Sequence, residues 1–377
     1  MLKKNRLFCL SLLLMFVFTS CWDYKEIEDK AFIIGIALDK DAEEDEEIEV
    51  TFQIAEPNTF TPIGESEEPF WNISETAIDL SKAHIQLAKR MNQIPSLEHC
   101  QIILIGEEFA KTQQDETLDF LLRTYNIRRR VHIGVVKDKA KDILELKFKT
   151  LLIPAFVISE MMNENHNYSL EVTNYMDIGG IHMAETNNFD FILPKLIIDE
   201  DKLDMSGGGV FKDMHLVGWL DGEEIVGIRF LRGDVNSGFL SVELSEDLGK
   251  RAMMNVFEAV SSMEPEIKDG RLLVKLDLRI EGDMTEIVLA NKEINETEFL
   301  NRLEKLYEQD VKNKIEKSFR KMQQEFNSDP YQLKEKLMSY YPEFWKENQE
   351  NWDEVYRSAA LELDVKVLIR RIGEIKH

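Results

Sequence analysis

The sequence holds three cysteines in 377 residues, Cys9, Cys21 and Cys100, too few for the disulfide framework that staples many small secreted domains. Basic residues are short as well: 46 Lys and Arg face 71 Asp and Glu, for a formal net charge of -25. A surface that acidic is repelled by nucleic-acid phosphates and by anionic lipid headgroups. This argues against nucleic-acid binding and against membrane adhesion through overall charge. No run approaches the ~20 apolar residues of a transmembrane helix. Catalytic signatures are missing too: no G-x-S-x-G elbow, H-E-x-x-H pair, P-loop or G-x-G-x-x-G occurs. Gly207, Gly208 and Gly209 lack the helix and lysine that a phosphate loop needs, so they read as a flexible lead-in to a strand. His99 adjoins Cys100, but neighbours in a strand point to opposite faces. His99 then cannot act as a base for Cys100, which reads as a buried structural thiol. The seven histidines show no ligand spacing, and neither cofactor nor metal is expected.

What is present starts with MLKKNRLFCLSLLLMFVFTSCWDYKEIED. Lys3, Lys4 and Arg6 introduce an apolar run over residues 7–18. As a helix that run is about 18 Å long, short of a hydrocarbon core of ~30 Å, and residues 1–20 read as a secretory leader. Thr19 and Ser20 directly before Cys21 resemble a bacterial lipobox, with Phe18 where leucine is usual. In lipoproteins of that type the cysteine carries an S-diacylglyceryl group and an N-acyl chain, so Cys21 is the expected lipid-attachment residue. Losing the leader's three basic residues takes the net charge from -25 to -28. Two or more acyl chains hold a protein firmly where one does not. With Cys9 removed and Cys21 lipidated, Cys100 stands alone. The mature chain must then rest on its core, for which 44% hydrophobic content suffices, as two or three domains.

AFIIGIAL and the alternating residues 48–54 predict a β-hairpin over 31–55. Its loop, DKDAEEDEE, reads as solvated, because Glu43 and Glu44 break the frame of an EF-hand. Pro57, Pro62 and Pro69 mark an irregular segment and a break near 58–70. Ser74 is a candidate cap for a helix over 75–91 with Ile78 and Ile85 on its apolar face. Strand and helix then alternate: QIILIG, a helix over DETLDFLLRTYNI, VHIGVV, and a helix over DKAKDILELKF. Further helices are expected at 154–163 and around 170–177, and the strand FILPKLIID ends at Asp199. Arg128, Arg129 and Arg130 form the one basic run and read as a solvated face or an ion-pair cluster.

A new unit is expected at MSGGGVFKDMHLVGWLDGEE, a hairpin turning at Asp213 and Met214. A helix near 223–232 and strand segments at 239–245, 253–262, 271–281 and 284–290 follow. A helix over 295–326 presents Phe299, Leu303, Leu306, Ile315, Phe319, Met322 and Phe326 as a core stripe. Its opposite face, with Glu304, Glu308, Lys312 and Glu316, is expected to be exposed and is a candidate docking surface. Trp345 and Trp352 read as core aromatics before a last strand, LELDVKVLIRRIG. The expected class is α+β: a multi-domain mixed α/β chain, with an N-terminal domain over 21–199 and a C-terminal domain over 203–373.

CWDYKEIEDKAFIIGIALDKD resembles the start of the Ger(x)C family, the lipoprotein C subunits of spore germinant receptors, in Cys21, Trp22, Asp23, Glu26, Ile27, Asp39 and Lys40. The similarity continues through LDFLLRTYNIRRR and through the hairpin, with Phe211, Lys212, Gly218, Trp219 and Leu220. It reaches Trp345, Trp352 and the closing LIRRIG, and so covers nearly the whole chain. One departure is DPYQLKEKL, where the family commonly has a Gly-containing segment after Asp. The resemblance implies three mixed α/β domains and a non-enzymatic subunit on the outer face of the spore inner membrane. There it would act beside two integral membrane subunits, called A and B, in the nutrient response that triggers germination. A rival of another class is a solute-binding lipoprotein of a transport system, which would share the anchor at Cys21 and hold ligand between two long βαβ lobes. A cell-wall hydrolase stands third.

Overall fold

The computed structural model describes residues 29–43, 47–56, 69–112, 117, 120–121, 123, 127–148, 152–244, 249–289 and 296–372. Cys21 and the rest of the expected leader and lipobox lie outside them, as does most of DETLDFLLRTYNI. The predicted hairpin forms from β1 (Lys30–Lys40) and β2 (Ile48–Ala55), and β3 (Phe70–Ala77) pairs with β2 along its full length. That pairing overrides the helix expected from residue 75. Ser74 lies in the strand, where its hydroxyl meets that of Thr51 at 2.8 Å. The cap is Asp79 instead, which accepts from the Lys82 amide at 2.7 Å and starts α1 (Leu80–Arg90). The later start rotates the buried face to Leu80, Ala83 and Leu87, and leaves Ile78 and Ile85 exposed.

Next come β4 (Ile94–Ser96), β5 (Ile102–Gly106), α2 (Glu107–Thr112), β6 (His132–Val136), α3 (Ala140–Leu144) and α4 (Pro154–Glu164). The helix expected at 170–177 is absent, and that stretch is irregular up to β7 (Met176–Asp177). Asp177 begins a helix rather than ending one: it accepts from the Gly180 amide at 2.8 Å and caps α5 (Ile178–Asn187). β8 (Phe191–Asp199), β9 (Lys202–Asp204), β10 (Gly208–Lys212) and β11 (His215–Leu220) complete one sheet, in the order β11-β10-β8-β6-β5-β1-β2-β3 with β4, β7 and β9 as short additions. Central strands β1, β5, β6 and β8 are parallel. One face is covered by Leu87 of α1, Phe109 of α2 and Ile181 of α5, and the other by Ile143 of α3 and Ile158 of α4. The hairpin expected to open a new unit forms the edge of this sheet, since β10 pairs with β8. Its turn residues Asp213 and Met214 take φ of 47° and 66°, the left-handed pair of a type I′ turn.

A capping box between Asp221 and Glu224 starts α6 (Gly222–Arg232). The strand segments expected at 253–262, 271–281 and 284–290 are two long strands: 271–281 and 284–290 run on as one through Gly282 and Asp283, which pair with Val256 and Asn255, and the partner strand absorbs a bulge between Val256 and Glu258. β12 (Gly238–Glu243), β13 (Gly249–Lys268), β14 (Arg271–Leu289) and the final β15 (Ala360–Ile372) form the second sheet in that order. Between β14 and β15, α7 (Glu296–Lys321) packs into this sheet's core beside α6, then widens into a π turn at Met322–Phe326. Phe299, Leu303, Ile315, Phe319 and Met322 are buried as expected, Tyr307 and Val311 complete the stripe, and Leu306 and Phe326 sit at its margin. α8 (Leu333–Tyr340), α9 (Pro342–Asn348) and α10 (Trp352–Ser358) lead to β15 (Ala360–Ile372). Trp345 and Trp352 pack on the same core with ring centroids 5.7 Å apart. No helix of the described residues is long and apolar enough to cross a membrane.

The expected open face of α7 is partly committed. β15 is an edge strand, and edge amides need acceptors. Glu304 accepts from the Ile369 amide at 3.0 Å and Glu308 from the Val367 amide at 3.3 Å. Of the four residues on that face only Glu316 is exposed. α6 and α7 approach closely at Gly227, where a Cβ would collide with Lys314 O and Ser318 Oγ.

Two stability outcomes follow from these contacts. Gly227→Ala should cost about 1–3 kcal/mol by overpacking the α6–α7 crossing, read as a lowered melting temperature. Glu304→Lys should cost about 1–3 kcal/mol in urea unfolding because it strands the Ile369 amide, whereas Glu316→Lys should stay within ~0.5 kcal/mol.

Candidate functional site

Sequence features that first suggest chemistry prove structural. His99 and Cys100 lie in a turn rather than a strand, yet the thiol is buried and donates to Ile102 O at 3.5 Å. Burial pushes its pKa up to about 12, which leaves no thiolate for nucleophilic work. His99 meets the Phe32 ring edge-on at 4.9 Å. Gly207, with φ of 101°, leads into β10 as expected of a flexible lead-in. Arg128, Arg129 and Arg130 are all exposed, with no ion pair among the described residues.

Asp39, one of the residues in the family-like opening, is buried at the end of β1. Its two oxygens accept from the Ala140 and Lys141 amides at 2.7 and 2.9 Å, capping α3 from 101 residues away. Gly106 leaves it room, since a Cβ there would collide with Asp39 Oδ1. The hairpin residues behave alike. Phe211 stacks on Phe191 at 4.9 Å, and Gly218 makes space for the Phe326 ring. Trp219 Nε1 donates to Glu107 at 3.1 Å beneath the Lys137 ammonium, while its carbonyl accepts from Lys321 at 3.0 Å.

A polar cleft of about 240 Å³ lies between the first sheet and the tail of α7, with Lys212 and Asp213 at the hairpin's turn in its lining. Asn188 ends α5 in a left-handed conformation (φ 54°), which turns Phe189 and Asp190 toward the cleft. Asn327, also left-handed (φ 47°), ends the π turn and begins the buried run Asn327, Ser328 and Asp329. Asp190 accepts from the Asp329 amide at 2.7 Å. Lys212 donates to Asn327 O at 2.8 Å and reaches Asp353 at 3.3 Å. Burial raises the pKa of Asp190 and of Glu335, and drives that of Asp329 to about 8 against the opposing amides of Lys334 and Leu333. Oδ1 of Asp329 and Oδ1 of Asn327 are buried without a hydrogen-bond partner among the described residues. The cleft is therefore rich in acceptors. Among the described residues no group of three or more His, Cys, Asp or Glu could hold a metal ion. One acid among 71 gave no signal in the sequence that Asp329 would be buried. In DPYQLKEKL, Gln332 holds φ of 60°, a conformation that a glycine adopts without strain.

Two family models match the chain, a "Spore germination protein N-terminal domain" over residues 23–198 and "Spore germination B3/ GerAC like, C-terminal" over 206–373. The chain belongs to the Ger(x)C family of spore germination proteins. Spore germination protein YndF of Bacillus subtilis (strain 168) is 27% identical over 97% of this chain and 96% of its own. Spore germination protein B3 of the same organism is 20% identical over 99% and 100%, and spore germination protein A3 is 24% identical over 98% of each. A crystal structure of the GerBC protein shares the fold, with a TM-score of 0.60 at 18% identity over 92% of this chain and 100% of that one. In this germination protein the N-terminal match stops within β8 and the C-terminal match begins just before β10. The cleft hairpin thus belongs to the second match by sequence and to the first sheet by hydrogen bonding.

A raised carboxyl pKa gives stability that declines with pH. Below about pH 4 both folded and unfolded chains carry a protonated Asp329; between about 4 and 8 only the unfolded chain ionises, and folding is penalised progressively. Asp329→Asn keeps an acceptor for the Lys334 amide and cannot ionise. It should raise stability at pH 8 by about 1–3 kcal/mol, and change little at pH 4, in denaturant titrations at the two pH values.

Proposed function

We propose that this chain is the lipid-anchored C subunit of a spore germinant receptor, held by Cys21 on the outer face of the spore inner membrane beside the A and B integral membrane subunits. Family membership across both halves of the chain carries the reading. The short leader ending in Thr19-Ser20-Cys21 supports the anchor. In this reading the subunit works by contact in the nutrient response rather than by turning over a substrate, and it needs no cofactor. We read it as an N-terminal domain over 21–199 and a C-terminal domain over 203–373, joined where β10 pairs with β8. The solute-binding alternative is poorly served by the architecture, whose two sheets differ in size and strand order and make no pair of matching βαβ lobes.

Anchoring is tested by feeding a labelled fatty-acid analogue to sporulating cells. Wild-type protein should take up label, fractionate with membranes and co-purify with the A and B subunits. Cys21→Ala should lose the label and the membrane fraction, and equal labelling of both proteins would sink the proposal.

A further inference from the structure

The one basic run of an acidic molecule occupies a particular end of the first sheet. β1, β5 and β6 are parallel, with Gly35 opposite Ile102 and Ile102 opposite His132. Residues just before His132 therefore lie at the end where β1 begins. Arg128, Arg129 and Arg130 stand there, two strand spacings (about 10 Å) from β1. Their backbone is fixed: the Val131 amide donates to Arg128 O at 3.3 Å and the Gly179 amide to Arg129 O at 3.1 Å. All three side chains are exposed. Of the acids at this end, Glu98 pairs with Lys30 at 3.0 Å and Asp177 accepts from the Gly180 amide, while Asp29 is exposed beside the start of β1. At the opposite end of β1, roughly 35 Å away at ~3.3 Å per residue, the β1–β2 loop DAEEDEE carries six carboxylates in seven residues.

Lys30 lies nine residue steps after Cys21, a reach of at most ~30 Å. An anchor at Cys21 thus tethers the arginine end near the bilayer, at the opposite end of β1 from the acidic residues that follow Lys40. We propose that Arg128, Arg129 and Arg130 contact anionic phospholipid headgroups and orient the anchored protein, arginine end toward the membrane and acidic loop away from it. This rests on the lipid-anchor reading above. Overall charge repels the molecule from an anionic surface, but that repulsion is screened over ~8 Å at physiological salt, whereas an arginine touching a headgroup is not. Asp190 and Asp213 share this end of the sheet beyond β7 and β8, so contact is made by the β5–β6 side rather than by the whole end.

The test uses full-length lipidated protein on vesicles of phosphatidylcholine with and without phosphatidylglycerol. A fluorophore is placed at the near end in Asn92→Cys or at the far end in Glu43→Cys, both exposed, and energy transfer to a headgroup acceptor is measured. The buried Cys100 does not compete for label. Near-end transfer should exceed far-end transfer, rise with phosphatidylglycerol and fall with salt. The triple variant Arg128→Gln, Arg129→Gln, Arg130→Gln should still float with vesicles and lose that lipid dependence. Transfer that ignores phosphatidylglycerol, or that is unchanged in the triple variant, would overturn the proposal. So would an arginine effect seen only when A and B subunits are present, which would make the run a protein contact. Flotation on neutral vesicles checks the anchor separately: if wild type and Cys21→Ala behave alike there, the anchor reading fails. The arginines are then judged on Cys21→Ala protein alone, whose partition onto anionic vesicles should drop about fivefold per arginine removed. No drop would overturn the headgroup contact independently of the anchor.

Discussion

Lys212 donates to the carbonyl of Asn327 while its own strand is hydrogen-bonded into the first sheet. One residue on, the hairpin turns back. Its second strand gives Gly218 to the Phe326 ring and the Trp219 carbonyl to Lys321. The two halves matched by separate family models therefore cannot part without breaking β8–β10 pairing or withdrawing this hairpin from the end of α7. A two-stranded ribbon alone is marginal in water. Here it is stable because it is the edge of a large sheet on one side and the floor of a cleft on the other. That double attachment acts with the Asp190–Asp329 contact and with Arg229, which donates to Ser169 O and Val172 O at 3.0 Å, to position the chain beyond residue 220.

A chain with one buried cysteine holds its distant segments by another means. Asp39 reaches amides 101 residues later, Asp190 one 139 residues later, and Glu304 one 65 residues later. Each is a carboxylate accepting from a backbone N–H, a bond of about 1.5–3 kcal/mol when the acid is charged. A disulfide works largely on the unfolded chain. These bonds exist only in the folded one, so they add to cooperativity without restricting the unfolded ensemble. Their cost is desolvation. Asp39 and Asp190 both have pKa values raised by burial, so the folded state is penalised as pH rises and these acids ionise, and acid relieves that penalty.

Much of this was legible in the sequence where local and tertiary signals agree. The β1–β2 hairpin, β5, β6, β8 and the long α7 all sit where periodicity puts them. Ser74 misled because a serine before an apolar run suits a helix cap, while partnership with β2, invisible in one sequence, made it a strand residue. Residues 170–177 misled for the converse reason: Asp177 looked like the end of a helix and was the cap of the next. The Glu304–Glu308 face looked open because a carboxylate on a helix surface carries no mark of an edge strand returning 60 residues later to meet it. The cleft was illegible for a compositional reason. In a chain with so many acids, the few that are buried differ only in what folds over them.

That excess of acid also bears on orientation at a surface. A uniformly acidic body on a flexible tether would keep its distance from an anionic bilayer and present no preferred side. This body is not uniform. Its strands carry chain direction from the arginine end to the acidic loop, and the parallel centre of the sheet places the starts of β1, β5 and β6 together. Parallel topology, rather than any local motif, is what gathers the entering chain and the basic run at one end. An antiparallel arrangement of the same strands would have separated them by the length of the sheet.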